Sequence, residues 1–169
     1  MGEENTLIYQ QLLIGETLKA AAHSVPNQTA FVYENGQLTY AQLLDRAGKV
    51  SGWLHEQGIQ KNDKIGCIFK NGMAFVELYF GVTVNGAVFV PINFRLTASE
   101  MQYILNNADV KILFIEEEYI EIAREIVPLL PKIEKVIVVD ALNDIELDSN
   151  WLLYENIFNA EPYFREADF

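Results

Sequence analysis

The stretch from Asn62 to Asp109 constrains the fold of this chain more than any other. It reads NDKIGCIFKNGMAFVELYFGVTVNGAVFVPINFRLTASEMQYILNNAD. An apolar strand over Lys64 to Phe69 is followed by a nearly all-apolar helix over Met73 to Val84 and an Asn85-Gly86 stop. A second strand over Ala87 to Ile92 leads into a helix capped by Thr97 and Glu100, with Met101, Ile104, Leu105 and Ala108 on its buried face. An element that is apolar on all sides has to be covered on all sides. The unit is therefore expected at the centre of a layered α/β sheet, and it carries no catalytic constellation of its own.

Upstream, Ile8, Leu12, Gly15, Leu18 and Ala22 mark a helical stripe over Thr6 to His23, stopped by Pro26 and Asn27. AFVYENGQLTY then reads as a hairpin turning at Asn35-Gly36, a pair that tolerates the positive φ values of a type I′ turn. Thr39 with Gln42 forms a capping box, and Leu43, Ala47, Val50 and Leu54 repeat at helical spacing to Gly58, a C′ residue. Downstream, Lys111 to Ile115 is a third core strand. Glu116, Glu117 and Glu118 sit at a helix N-terminus, where the macrodipole favours negative charge; a metal cluster there would need ligands converging from elsewhere. That helix runs over Tyr119, Ala123, Ile126 and Val127 to Pro128 and Pro131, and Lys135 to Val139 is a fourth strand.

Strands alternating with helices imply right-handed crossovers. The expected fold is α/β: a layered, mostly parallel sheet with helices on both faces, plus an N-terminal helix and β-hairpin. Residues 1–140 form this α/β part. Residues 141–169 are expected to be an acidic, loosely structured tail in which only Trp151 to Phe158 has structure. From Asp140 onward there are eight acids and one base, Arg165.

Composition excludes several functions. Half of the 169 residues are hydrophobic, which rules out general disorder, and the formal net charge of −12 disfavours a nucleic-acid partner. The single cysteine, Cys67, lies mid-strand with no histidine in its local sequence, so it reads as a buried inert thiol and fits a reducing cytoplasm. The most apolar window, Met73 to Ile92, is broken by Glu77, Asn85, Gly86 and Pro91, so no integral membrane segment is expected. There is no GxxxxGK[ST] loop, no GxGxxG after a strand and no GxSxG elbow. His23 and His55 fall on separate helices, and His55 reads as a helix-terminal cation or a solvated polar residue. One feature stands out: Pro91-Ile92-Asn93-Phe94-Arg95-Leu96-Thr97 lies where a parallel strand gives way to a helix, beyond whose carboxyl end ligands of such sheets bind. Arg95 suits phosphate; the competing reading is that it holds the corner together through carbonyls or a neighbouring acid.

Five landmarks in register carry a resemblance: Pro26 to Ala30, Leu38 to Leu43, Gly58 to Ile65, Lys70 to Glu77 and Gly86 to Thr97. Together they resemble the N-terminal part of the AMP-binding adenylate-forming enzymes, and among these the acyl-CoA synthetases. The resemblance implies a ligase that activates a carboxylic acid, such as a fatty acid, with ATP and Mg²⁺ to an acyl-adenylate and passes the acyl group to CoA. It implies that Arg95 contacts a CoA phosphate. It also implies that the Ser/Thr/Gly-rich phosphate loop, the acidic nucleotide and metal residues and the mobile C-terminal domain lie downstream. The chain is then expected to be the front portion of a cytoplasmic enzyme, to hold no cofactor alone and to be catalytically inert. Its partner is the remainder of its own enzyme, and it self-associates through uncovered apolar surface. The alternative is a stand-alone flavodoxin-like interaction or regulatory module.

Overall fold

The structure, a computed structural model, describes residues 13–34, 36–140 and 146–166. These form two compact units. One is built from residues up to Lys61, from Gly72–Gly86 and from Phe158 onward; the other from Asn62–Asn71 and Ala87–Ile157.

The first unit is helical. Helix α1 (Ile14–Ser24) buries Gly15, Leu18 and Ala22, three positions of the predicted stripe; residues 6–12 of the expected helix lie outside the described residues. Strands β1 (Thr29–Tyr33) and β2 (Gly36–Thr39) form the antiparallel hairpin. Tyr33 pairs with Gly36, so the connection starts one residue earlier than expected, at Glu34 with φ 48°; Asn35 is outside the described residues. Helix α2 (Tyr40–Glu56) begins with both reciprocal bonds of the Thr39/Gln42 capping box. It ends in a Schellman motif: Gly58 at φ 78°, its N–H on the His55 carbonyl at 2.9 Å, and the Ile59 N–H on the Leu54 carbonyl at 3.0 Å. Helix α3 (Met73–Asn85) stops at Gly86, whose φ of 86° a side-chain-bearing residue adopts only with strain.

Glycines let the helices of this unit approach closely. A Cβ at Gly81 of α3 would lie 2.5 Å from Val50 of α2, and one at Gly15 of α1 would lie 2.9 Å from Val84 of α3. Leu18, Leu43 and Ala47 form the buried centre between α1 and α2.

The second unit is the sheet. It contains β3 (Lys64–Ile68), β4 (Val88–Ile92), β5 (Val110–Glu116), β6 (Lys135–Val139) and β7 (Trp151–Leu153), all parallel, in the order β4-β3-β5-β6-β7. Helices α4 (Ala98–Asn107) and α5 (Ile120–Ile126) supply Met101, Leu105, Ile120, Ala123 and Ile126 to one core, with Ile68, Leu113, Ile115, Val136 and Val138 of the strands. Within β5 and β6 the residues pointing the other way, Ile112, Phe114, Ile137 and Val139, are equally buried. Strands closed on both faces read as continuous apolar runs, which is why the ILFI of β5 and the VIVV of β6 show no alternation.

One expectation needs correction. The Lys64–Ile92 segment does not place both of its strands centrally: β4 is an edge strand, and Val88 is 40% exposed. Pro91, which has no N–H to donate to a second neighbour, is tolerated at such an edge. In the acidic C-terminal segment the stretch expected to have structure, Trp151 to Phe158, has it. Trp151–Leu153 add the fifth strand, and Trp151, Tyr154 and Ile157 are buried, the ring of Tyr154 meeting that of Phe114 edge-on at 6.2 Å. Three spaced apolar side chains suffice to dock a segment whose charges face outward.

Candidate ligand-binding edge of the sheet

After β3 the chain moves outward to β4 and then returns past β3 to β5, so the strand order reverses between β3 and β5. In open α/β sheets the carboxyl ends of the strands flanking such a reversal form the crevice where ligands bind. At that edge the residue pairs Ile68↔Ile115 and Ile68↔Ile92 bring the three strand ends level.

Beyond β3, Lys70 is held by the end of β5 and by the 3-10 turn that follows it. Its backbone N–H donates to Glu116 Oε1 at 3.1 Å, and its ammonium lies 2.6 Å from Glu118 Oε1. The two carboxylates respond in opposite directions. Burial, reinforced by Glu118 and Asp140, raises the pKa of Glu116 above the ordinary carboxylate range; the Lys70 ammonium and the Tyr119 hydroxyl lower that of Glu118. The run Glu116 to Glu118 thus braces Lys70 one turn ahead of α5, and among the described residues no three His, Cys, Asp or Glu side chains are placed to hold a metal ion. Behind this edge Cys67 is buried, its thiol pushed up to about 12 by desolvation, which leaves it protonated and unreactive at neutral pH.

The corner after β4 is built differently. Asn93 Oδ1 accepts the Arg95 N–H at 3.0 Å, and the Asn93 carbonyl accepts the Leu96 N–H at 3.1 Å, folding the chain into a tight turn. Thr97 then caps α4: its N–H donates to Glu100 Oε2 at 2.8 Å while its Oγ1 accepts the Glu100 N–H. These bonds pull the Glu100 carboxyl below its ordinary pKa. Phe94 and Leu96 pack against the core, so the residue between them, Arg95, points outward and is exposed. Its guanidinium lies 5.4 Å from the Phe94 ring and meets no carboxylate or carbonyl among the described residues. The corner is therefore held by Asn93 and the capping box, and Arg95 contributes only its backbone N–H to it. A planar fork of five uncommitted donors beside a strand end can take up a phosphate. No comparable acidic or glycine-rich set for a nucleotide triphosphate and its metal lies among the described residues.

Sequence reasoning missed the Arg46–Glu77 pair in the helical unit. Glu77 is 2% exposed, and Arg46 grips both its oxygens, Nη2 to Oε2 at 3.2 Å, with Nε on Oε1. The Arg46 guanidinium also stacks on Phe158 at 3.9 Å. The available signal was Glu77 itself, a lone acid in an apolar helix, which is rarely buried without a partner.

The sequence and the fold of this chain both have counterparts among known proteins. Residues 18–160 match the AMP-binding enzyme family, and the chain belongs to that family. It is 33% identical over 133 residues to a medium/long-chain-fatty-acid–CoA/3-oxocholest-4-en-26-oate–CoA ligase of Mycobacterium tuberculosis, covering 79% of this chain and 24% of that protein. It is 30% identical over 157 residues to a peroxisomal butyrate–CoA ligase of Arabidopsis thaliana, covering 90% of this chain and 25% of that one. In fold it resembles a Rhodopseudomonas palustris protein assigned as a long-chain-fatty-acid–CoA ligase, with a TM-score of 0.82 at 22% identity over 94% of this chain and 39% of that one. The chain spans about a quarter of the length of these curated relatives.

Proposed function

We propose that this chain is the N-terminal α/β part of an acyl-CoA ligase, an enzyme that activates a carboxylic acid, such as a fatty acid, with ATP and passes it to CoA. The observation that carries the reading is the outward, uncommitted guanidinium of Arg95 at a strand end, in a family whose matched relatives are named as CoA ligases. Arg95 is assigned to a phosphate of CoA. ATP, Mg²⁺ and the acid substrate belong to the longer enzyme, and no step of their chemistry is assigned to residues of this chain.

The reading is tested by titrating the protein with CoA and with its analogue lacking the ribose phosphate while following backbone amide resonances. CoA should move the signals of Phe94 to Thr97, and the analogue should move them less; equal shifts from both, or none, would refute the assignment. On the same reading the 169-residue polypeptide alone supports no ATP–pyrophosphate exchange, and measurable exchange by the pure chain would overturn it. A cytoplasmic location fits the buried, reduced Cys67.

Self-association is part of the proposal. Leu13, Ile14, Val32 and Tyr33 are 38–64% exposed in the helical unit, which also holds an apolar groove of about 520 Å³ flanked by Phe31, Tyr40, Phe75, Tyr79 and Phe80. Exposed apolar surface of this kind favours association, and a clean monomer by sedimentation at high concentration would count against it. A second reading, a stand-alone flavodoxin-like module, draws on the 2-1-3-4-5 order of the five parallel strands. A gene ending at Phe169 would favour it, and one encoding further domains would exclude it.

A further inference from the structure

The helical unit is closed by its own last described residues. Beyond Asn159 the described chain forms no helix or strand and crosses α2 at Gly48 and Gly52, four residues apart on one face. The crossing leaves no room for side chains: a Cβ on Gly52 would sit 1.9 Å from the Glu161 carbonyl oxygen, and one on Gly48 would sit 2.7 Å from the Phe164 ring and 3.0 Å from Pro162. Tyr163 donates its N–H to the Gly48 carbonyl at 3.0 Å, and its ring stacks on His55 at 4.0 Å and 8°. His55 is thus a stacking platform as well as an exposed ring. Two residues on, Arg165 reaches the end of α3. Its N–H donates to the Val84 carbonyl at 3.2 Å, its Nε to the Asn85 carbonyl and its Nη2 to the Ile59 carbonyl at 3.2 Å. One guanidinium therefore satisfies the carbonyl end of α3, where a cation is favoured, and ties it to the segment that follows α2.

What holds this strap is unlike what holds the helices beneath it. Of residues 158–166 only Ala160 is buried, whereas Val50 and Leu54 of α2 are fully buried. The strap is attached by backbone acceptors, the Tyr163–His55 stack, the Phe158 and Phe164 rings under Arg46 and Lys19, and the arginine fork. Segments with few buried apolar side chains open at lower free energy than the core they lie on.

We propose that residues 158–166 form a latch, with Arg165 as its bolt, that opens and closes on the α2–α3 face without unfolding the helices. When it opens, the carbonyls of Gly48, Ile59, Val84 and Asn85 and the Gly48–Gly52 face become accessible together. When it closes, the direction in which the chain leaves the helical unit is set. The proposal rests on geometry in this chain and on no assignment of activity.

Amide hydrogen exchange on the full 169-residue chain tests it. The Tyr163 and Arg165 amides should exchange together, more slowly than free peptide and faster than those of Val50 and Leu54. Arg165→Ala should speed the two strap amides about tenfold or more, with Val50 and Leu54 still exchanging more slowly than the strap, and Arg165→Lys, which keeps the charge but not the two-carbonyl fork, should fall between. Gly58→Ala strains a glycine that has open space around it, so it should speed the α2 amides without selecting the strap. Strap amides exchanging at the free-peptide rate in the unsubstituted chain would overturn the latch. So would strap and α2 amides exchanging in step, or Arg165→Ala leaving the strap rates unmoved. The first two outcomes need no variant to fold.

Discussion

Phe94-Arg95 and Phe164-Arg165 are the same dipeptide in two settings. At the β4 corner the turn is already satisfied by Asn93, Thr97 and Glu100, so the Arg95 guanidinium is left beside its own phenylalanine with no acceptor among the described residues. Beyond Phe164 the chain runs over the end of α3, where orphan carbonyls are waiting, and Arg165 is consumed by them. An arginine's role is thus decided by whether the backbone around it has acceptors left over. Arg46 marks a third case, in which the acceptor is a carboxylate that cannot be buried alone. The three make a graded series for experiment.

Arg46 stands at the top of the series. Replacing it by leucine strands the Glu77 carboxylate in the helical core, and removal of one partner from a buried pair costs about 3 kcal/mol. The urea midpoint should fall sharply, and Glu77→Gln added to Arg46→Leu should recover part of the loss. A midpoint unchanged in Arg46→Leu would show that Glu77 is not held as described. Arg165 comes next. Arg165→Ala removes two charge-assisted bonds and should cost about 2 kcal/mol, read from the same unfolding curve, with Lys in its place recovering less than half.

None of these three fates was legible in the sequence, although much of the scaffold was. The caps at Thr39 and Thr97 and the stops at Gly58 and Gly86 depend on residues within a turn of each other, and all four stand where local chemistry put them. The core strands likewise announce themselves by composition. Partners distant in the chain do not. Arg46 and Glu77 are 31 residues apart, and Arg165 meets acceptors 80 and 106 residues away. The position of β4 at the sheet edge depends on which neighbour β3 receives on its other side, a matter of topology that no periodicity records. Strand β7 is only three residues long and too short for a pattern. Arg95 could be nominated from its strand-end position, but that its side chain is uncommitted could be learned only once the turn had been seen to close without it.

Thr97 sharpens the comparison from the other side, because it is what makes Arg95 dispensable to the corner. Thr97→Ala should cost about 1 kcal/mol. Its companion Glu100 has a pKa lowered by the bonds from Thr97. A carboxyl lowered in the folded state contributes stability above its unfolded pKa and loses it as pH falls through the folded one. The penalty of Thr97→Ala should therefore shrink in acid. Glu116 runs the opposite way: its raised pKa means that stability declines as pH climbs from the ordinary carboxylate value through the raised one. A Thr97→Ala penalty that grew on acidification would contradict the capping geometry.

The smallest effect on stability belongs to Arg95 and carries the most functional weight. Because its guanidinium bonds to nothing in the described chain, Arg95→Ala should leave the unfolding midpoint within about 0.5 kcal/mol of the parent. If it cost as much as Arg165→Ala, the side chain would be holding the corner after all. Binding should separate the two residues in the reverse sense. With CoA as titrant, Arg95→Ala should abolish the resonance shifts at Phe94 to Thr97, whereas Arg165→Ala, which lowers stability but leaves that corner intact, should preserve them. Arg95→Lys should retain only part of the response, since a point charge replaces a planar fork. CoA-induced shifts that survive Arg95→Ala would place the phosphate elsewhere. The uncommitted guanidinium would then be no more than a surface charge that the turn happens to expose.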